Sequence, residues 1–143
     1  RSYQTKTRKE DGLDSALGSL ESLKHCIKNI MQNKNKKRIR LKKKIRTKIK
    51  GTATRPRLSV FRSNKFIYAQ IIDDLKGKTL AQANDVQMEK GTKSARAKEV
   101  GRMIALASLK EKIEQVVFDR NGFKYTGRIK LVADEARAGG LKF

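Results

Sequence analysis

The stretch "RLSVFRSNKFIYAQIIDDLKGKTLAQAND", residues 57–85, decides the fold. Leu58 and Val60 alternate with Ser59 and Phe61, which is the two-residue period of a β-strand. Ser63-Asn64-Lys65 supplies a hairpin turn, and residues 66–74 form the next strand. Phe66 and Tyr68 share one face of it, while Ile67, Ala69 and Ile71 share the other. One face must be core, so only part of the aromatic set is free. A turn at Lys76-Gly77 leads to a third strand over 77–85, and connections this short favour antiparallel pairing.

Toward the C-terminus, residues 93–113 predict a helix. Its Ala97, Val100, Ile104, Ala105 and Ala107 suit close packing on a sheet. "EQVVFDR", residues 114–120, reads as a buried strand because Val116, Val117 and Phe118 run together without alternation. A loop over 121–127 precedes a last helix, which Gly139 and Gly140 stop. The order β-β-β-α-β-α predicts a compact α/β domain over 58–143. Its small mixed sheet takes a right-handed crossover into the fourth strand.

Toward the N-terminus the pattern changes. Residues 1–12 are polar and read as extended. Leu13, Leu17, Leu20, Leu23, Ile27 and Ile30 then recur at three- and four-residue steps, the stripe of an accessory helix over about 13–32. Asp11 is its expected N-cap and the Asn/Lys cluster at 33–36 its expected end. The stripe needs a surface to cover it, on this domain or on a partner. A second, basic helix is expected over about 36–50, with Leu41, Ile45 and Ile49 four apart. Gly51 ends it, and Arg55 is pushed toward extended geometry by Pro56.

Charge sorts with this organisation. Residues 1–57 carry 19 basic and 4 acidic groups, and residues 58–143 carry 17 and 10, for a net charge of +22. Thirteen basic residues fall between 34 and 57 with no acid among them. Such a run repels itself at helical spacing and is stabilised along phosphates, so nucleic acid is the expected partner. An anionic membrane is the competitor, but the narrow apolar side lacks Trp and Phe. No apolar run approaches the roughly 18 residues of a membrane span. The single Cys26 and single His25 exclude an intrachain disulfide and a Cys/His zinc cluster.

Two further stretches point the same way. Arg55, Arg57, Arg62 and Lys65 bracket Phe61, Phe66 and Tyr68, so cations could hold a backbone while rings stack on unpaired bases. The loop "FDRNGFKYTGRI", residues 118–129, presents Arg120, Phe123, Lys124, Tyr125 and Arg128, with Gly127 just before a helix N-terminus. The acids Asp73, Asp74, Asp119, Asp134 and Glu135 would have to converge to serve a metal-dependent nuclease. They sit at turns, a strand end and late in a helix, with no nucleophile–base pair, so no enzyme is expected. A non-specific, histone-like nucleic-acid binder is the other rival.

"RPRLSVFRSNKFIYAQIIDD", "QVVFDRNGFKYTGRIKLVADEARAGGLKF" and the basic stretch before them resemble the bacterial-type large-subunit ribosomal protein L-eighteen family, over about residues 36–143. The resemblance implies a mixed α/β domain of RNase-H-like topology without nuclease activity, cofactor or small-molecule substrate. It also implies the partners: 5S rRNA, the 23S-type large-subunit rRNA and neighbouring proteins of the central protuberance. The implied RNA contacts fall on the basic arm (Lys36, Lys37, Arg38, Arg40, Lys42, Lys43, Lys44, Arg46, Lys48 and Lys50) and on Arg55, Arg57, Arg62, Ser63, Asn64 and Lys65. Tyr68, Gln70 and the loop residues Arg120, Gly122, Phe123, Tyr125, Gly127 and Arg128 complete the implied set. Thr126 stands where the family pattern usually has histidine.

Residues 12–35 match nothing in that pattern. They read as an insertion into the arm, because "KTRKED" resembles its usual beginning. "VFRSNKFIYAQIIDD" and "IEQVVFDR" look most like cyanobacterial and plastid members. A plastid or chloroplast ribosome is therefore expected, with a bacterial or mitochondrial one as the alternative. The chain opens at Arg1 without methionine and shows no intact targeting peptide, which fits a processed form.

Overall fold

The computed structural model describes residues 11–88 and 91–143, with side chains from Leu23 onward apart from Asn29. Of the segment expected to be extended, residues 1–10 lie outside the described residues, while Asp11 and Gly12 are helical instead; the side chains of the expected stripe positions Leu13, Leu17 and Leu20 lie outside those described. The chain divides into two compact units, one ending at Lys37 and one running from Arg38 to Phe143.

One α-helix, α1, spans Asp11–Arg46. Two helices with a break at 33–36 were expected, and the difference has a simple cause. Neither glycine nor proline occurs between 19 and 50, and Asn33 and Asn35 each disfavour a helix by only a few tenths of a kcal/mol, roughly. The helix also stops earlier than 50: the Thr47 hydroxyl donates to the Lys44 carbonyl at 2.8 Å as the chain turns off. In the first unit Leu23, Ile27, Ile30 and Met31 are exposed.

The second unit is built on a four-stranded sheet. Its strands are β1 (Arg57–Arg62), β2 (Ile67–Asp73), β3 (Lys78–Asn84) and β4 (Val117–Asp119), in the order β3-β2-β1-β4. β1–β2 and β2–β3 are antiparallel, and β4 runs parallel to β1, so the sheet is mixed as expected. α2 (Lys93–Lys110) joins β3 to β4, and α3 (Arg128–Ala138) follows β4. Thr92 caps α2 by accepting a hydrogen bond from the Ala95 N–H.

Alternation decides the two faces of the sheet. Leu58, Val60, Ile67, Ala69 and Ile71 are fully buried and meet Val100, Ile104, Ile129 and Val132 of α2 and α3. Each of these larger aliphatic side chains stabilises the fold by about 1.5–3 kcal/mol. The two helices approach closely because Gly101 has no side chain: a Cβ there would lie 2.7 Å from the Glu135 Cβ and 2.8 Å from the Val132 carbonyl. β4 corrects one expectation. It is an edge strand in which only Asp119 is buried, while Val117 and Phe118 are partly so; Val116, just before it, is buried. Phe118 stacks on Phe143 instead of entering the core.

Candidate nucleic-acid interface

The other face of the sheet carries Ser59 and Phe61 of β1 beside Gln70 and Tyr68 of β2, as paired register positions. No helix of the α2–α3 layer covers it. Residues 38–46 of α1 lie there. The Arg38 guanidinium sits 4.7 Å from the Phe123 ring and 5.6 Å from that of Phe61, and Arg62 sits 5.2 Å from Phe123. Gly122 makes this approach possible. Its φ is +78°, and a Cβ would fall 2.5 Å from the Arg38 carbonyl and 3.2 Å from the Lys42 nitrogen. Gly122 and Phe123, expected at RNA, therefore first serve to seat the basic helix.

Arg57 corrects another expectation. It is buried, and its guanidinium grips Asp74 through two hydrogen bonds of 2.8 and 2.6 Å while donating a third to Asp119 at 3.1 Å. Arg46 reaches the same Asp119 oxygen at 3.4 Å. Asp74 also accepts from the Gly51 N–H at 2.8 Å. The Arg57 hydrogen bonds, offset in part by burial, hold the Asp74 carboxyl at about 2, below its ordinary 3.8. The same pairing raises Arg57 above its ordinary value. Two acids do converge here, but each is bound by a guanidinium. Among the described residues, no three His, Cys, Asp or Glu side chains come together in a way that could hold a metal ion.

Lys42 is in the opposite situation. Burial lowers its affinity for the proton, and Arg46 and Arg38 lower it further. Around it, Arg40, Lys43, Lys44, Arg46, Lys48 and Lys50 are exposed, as are Lys36 and Lys37 at the end of the first unit. Ile45 and Ile49 are half-buried and fix which side of this segment faces the domain, while Leu41 stays exposed. Arg55 is exposed beside the Val116 carbonyl, to which its Nε donates at 3.4 Å.

The two loops meet at one end of the sheet. Ser63 is spent on its own turn, donating through Oγ to the Phe66 carbonyl and accepting from the Phe66 N–H. Asn64 and Lys65 at the tip are exposed, as are Arg62 and Gln70. Arg128 reaches across and donates to the Ser63 carbonyl at 3.2 Å. Its Nη1 is buried without a partner, and burial and the nearby Arg62 lower its pKa. Arg120 folds back onto the Phe123 carbonyl. Lys124, Tyr125, Thr126 and Gly127 are exposed, and the Tyr125 hydroxyl accepts from Arg137 at 3.0 Å.

Two side chains escaped the sequence reading. Arg137 stacks on Phe143 at 4.4 Å and steadies Tyr125. Asn121 is buried at φ +52°, its N–H donates to Asp119 at 2.8 Å, and its Oδ1 has no partner. The Asn-Gly pair after a strand signals a turn, but nothing in it announces a buried carboxamide.

The arrangement is thus a sheet with one apolar, helix-covered face and one cationic, aromatic face. Residues 32–143 match the family described as Ribosomal L18 of archaea, bacteria, mitochondria and chloroplast. The chain is 58% identical over 114 residues to the Large ribosomal subunit protein uL18 of Bacteroides thetaiotaomicron, covering 79% of this chain and 100% of that protein. It is 55% identical over 114 residues to the protein of that name from Lactobacillus johnsonii, covering 78% and 96%. For the one from Leuconostoc mesenteroides the figures are 53% over 112 residues, 78% and 96%.

Proposed function

The chain belongs to the ribosomal L18 family and is a structural constituent of the large ribosomal subunit, not an enzyme, and from that premise we propose that it binds 5S rRNA and fastens it to the 23S-type rRNA in the central protuberance. The observation that carries this reading is the uncompensated charge at the outer sheet face. Lys42 sits half-buried among Arg38 and Arg46, which disfavour its ammonium. A phosphate would reverse that balance. Exposed Arg40, Lys43, Lys44, Lys48, Lys50, Arg55, Arg62 and Lys65 supply the salt-sensitive affinity. Asn64, Gln70, Tyr125, Gly127 and Arg128 supply shape along the loop edge. Arg57 contributes by holding this face together, not by touching RNA.

The mechanism is architectural. The α2–α3 layer backs the sheet, and residues 38–46 of α1 are seated on its other face against Phe61 and Gly122, so much of the cationic surface is arranged before RNA binds. The relatives named above come from bacteria, and the family also includes chloroplast and mitochondrial members, so we assign the chain to a ribosome of bacterial type, the class to which the plastid ribosome expected from the sequence also belongs. The exposed stripe of Leu23, Ile27, Ile30 and Met31 is offered to a neighbouring protein of the subunit.

The test is a competition. Labelled 5S rRNA bound to the protein is challenged with unlabelled 5S rRNA and with duplex DNA of equal length. The reading expects 5S rRNA to compete at least ten-fold better, roughly, since specific binders exceed their non-specific affinity by more than that. Equal competition would assign a non-specific basic binder instead.

A further inference from the structure

Beneath the end of α1, the outer sheet face opens into a cavity of about 550 Å³ lined by Lys42, Arg46, Phe61, Tyr68, Gln70 and Asn121, among others. Its volume falls in the range of small-ligand sites. We infer that this cavity receives one unpaired RNA nucleotide, its base against Phe61 and Tyr68 and its phosphate on Lys42 and Arg46. The inference rests on the RNA-binding reading above and deepens it.

Three observations converge on this occupant. The first is Asn121. It is only 5% exposed, and its Oδ1 makes no hydrogen bond. An unpaired buried acceptor is disfavoured; the Oδ1 is sealed as it stands, so the side chain, which lines the cavity, would turn to accept from a base-edge donor. The backbone that carries this carboxamide is held in place. Its residue sits in the left-handed region at φ +52°, and its N–H is tied to Asp119, which Arg57 and Arg46 fix in turn.

The second is the pair of rings. Phe61 and Tyr68 lie 6.2 Å apart and tilted by 37° on adjacent strands, with Phe61 exposed and Tyr68 half-buried. A ring wall suits the flat face of a base. The third is the rim, where Lys42 and Arg46 bring cations to the same opening. Burial, and after it the neighbouring Arg46 and Arg38, lowers the affinity of Lys42 for its proton, so an added anion at this opening would be favoured.

Ring, carboxamide and cation together match base, base edge and phosphate. A nucleotide within a duplex fits poorly, because its faces are stacked and its edge is already paired. Side chains do not enter the deep groove of A-form RNA either. The occupant is therefore a nucleotide turned out of its helix, at a bulge or loop.

The full-length chain is titrated with the four nucleoside 5′-monophosphates and with ribose 5-phosphate, and followed by NMR. The nucleotides are expected to move the Asn121 carboxamide and the Phe61 and Tyr68 ring signals, and ribose 5-phosphate is not. If ribose 5-phosphate moves the same signals equally, the site is an anion site only and the inference falls. Asn121→Gly, which tolerates the left-handed backbone, should abolish the ring shifts. An unfolding curve for the variant checks that the fold is kept.

In a second arm, 5S rRNA is probed with dimethyl sulfate and a carbodiimide, which between them report all four bases. One unpaired base should be protected by the wild-type protein and exposed with Asn121→Gly, with affinity lowered about ten-fold. Identical protections with both proteins would overturn the inference while leaving 5S binding intact. Ring shifts with nucleotides, but no preference for 5S rRNA, would overturn the 5S reading and keep the nucleotide site.

Discussion

Arg57 and Lys42 are cations at the same sheet face, and they meet opposite fates. Arg57 is buried against Asp74 and Asp119, and this pairing raises its affinity for the proton. Lys42 is half-buried among other cations, and its affinity is lowered. A chain with a net charge of +22 therefore contains two kinds of basic residue. One kind is neutralised within the fold and holds it together. The other is left uncompensated, and its counter-charge must come from a partner.

The comparison breaks most visibly at Arg57. Arg57→Ala leaves two carboxylates without their guanidinium and should destabilise the domain by about 3–5 kcal/mol in urea unfolding. A stable variant that merely binds RNA less well would place Arg57 with the RNA-binding cations after all. Next comes Gly122→Ala. The added methyl meets the Arg38 carbonyl in a backbone conformation that disfavours side chains, so the domain should be less stable by about 1–3 kcal/mol in the same measurement. An unchanged unfolding midpoint would mean that the basic helix does not need this close approach.

The acid limb sharpens the same contrast by about 2 kcal/mol. Asp74 has a folded pKa of about 2 against an ordinary 3.8, so its contribution is complete above pH 4 and is lost as pH falls toward 2. Asp74→Asn should flatten that part of the stability curve, and an unchanged curve would remove Asp74 as its source. The smallest effect is at Lys42. Lys42→Gln should leave the free protein as stable or up to about 0.5 kcal/mol more stable, because a crowded charge is gone, while 5S rRNA affinity falls. A clear drop in stability would mean that Lys42 is structural, like Arg57.

Much of this fold is legible in the chain. Alternation within each of the two strands separates Leu58 and Val60, and then Ile67, Ala69 and Ile71, from the outer face, and the small residues of α2 announce close packing. Where the reading fails, the deciding neighbour is distant in sequence. Arg57 looks like any other cation of the run until Asp119, 62 residues away, is brought beside it. Phe123 looks free to stack until Arg38 and Arg62 are placed against it. The break expected at 33–36 rests on composition alone, and no residue there is incompatible with a helix. Asn121 is hidden for a related reason: a local Asn-Gly turn signal carries no word of the helix that closes over it.

The central claim is that the uncompensated cations of the outer face meet rRNA phosphates, and the salt dependence of binding reads this most directly. The dissociation constant of 5S rRNA is measured from low to high salt for the wild-type chain and for a variant with Lys42, Lys43, Lys44 and Lys48 changed to Gln. The account predicts a log–log slope shallower by about 2–4 in the variant, close to one for each of these lysines that neutralises a phosphate. Parallel lines for the two proteins would contradict it.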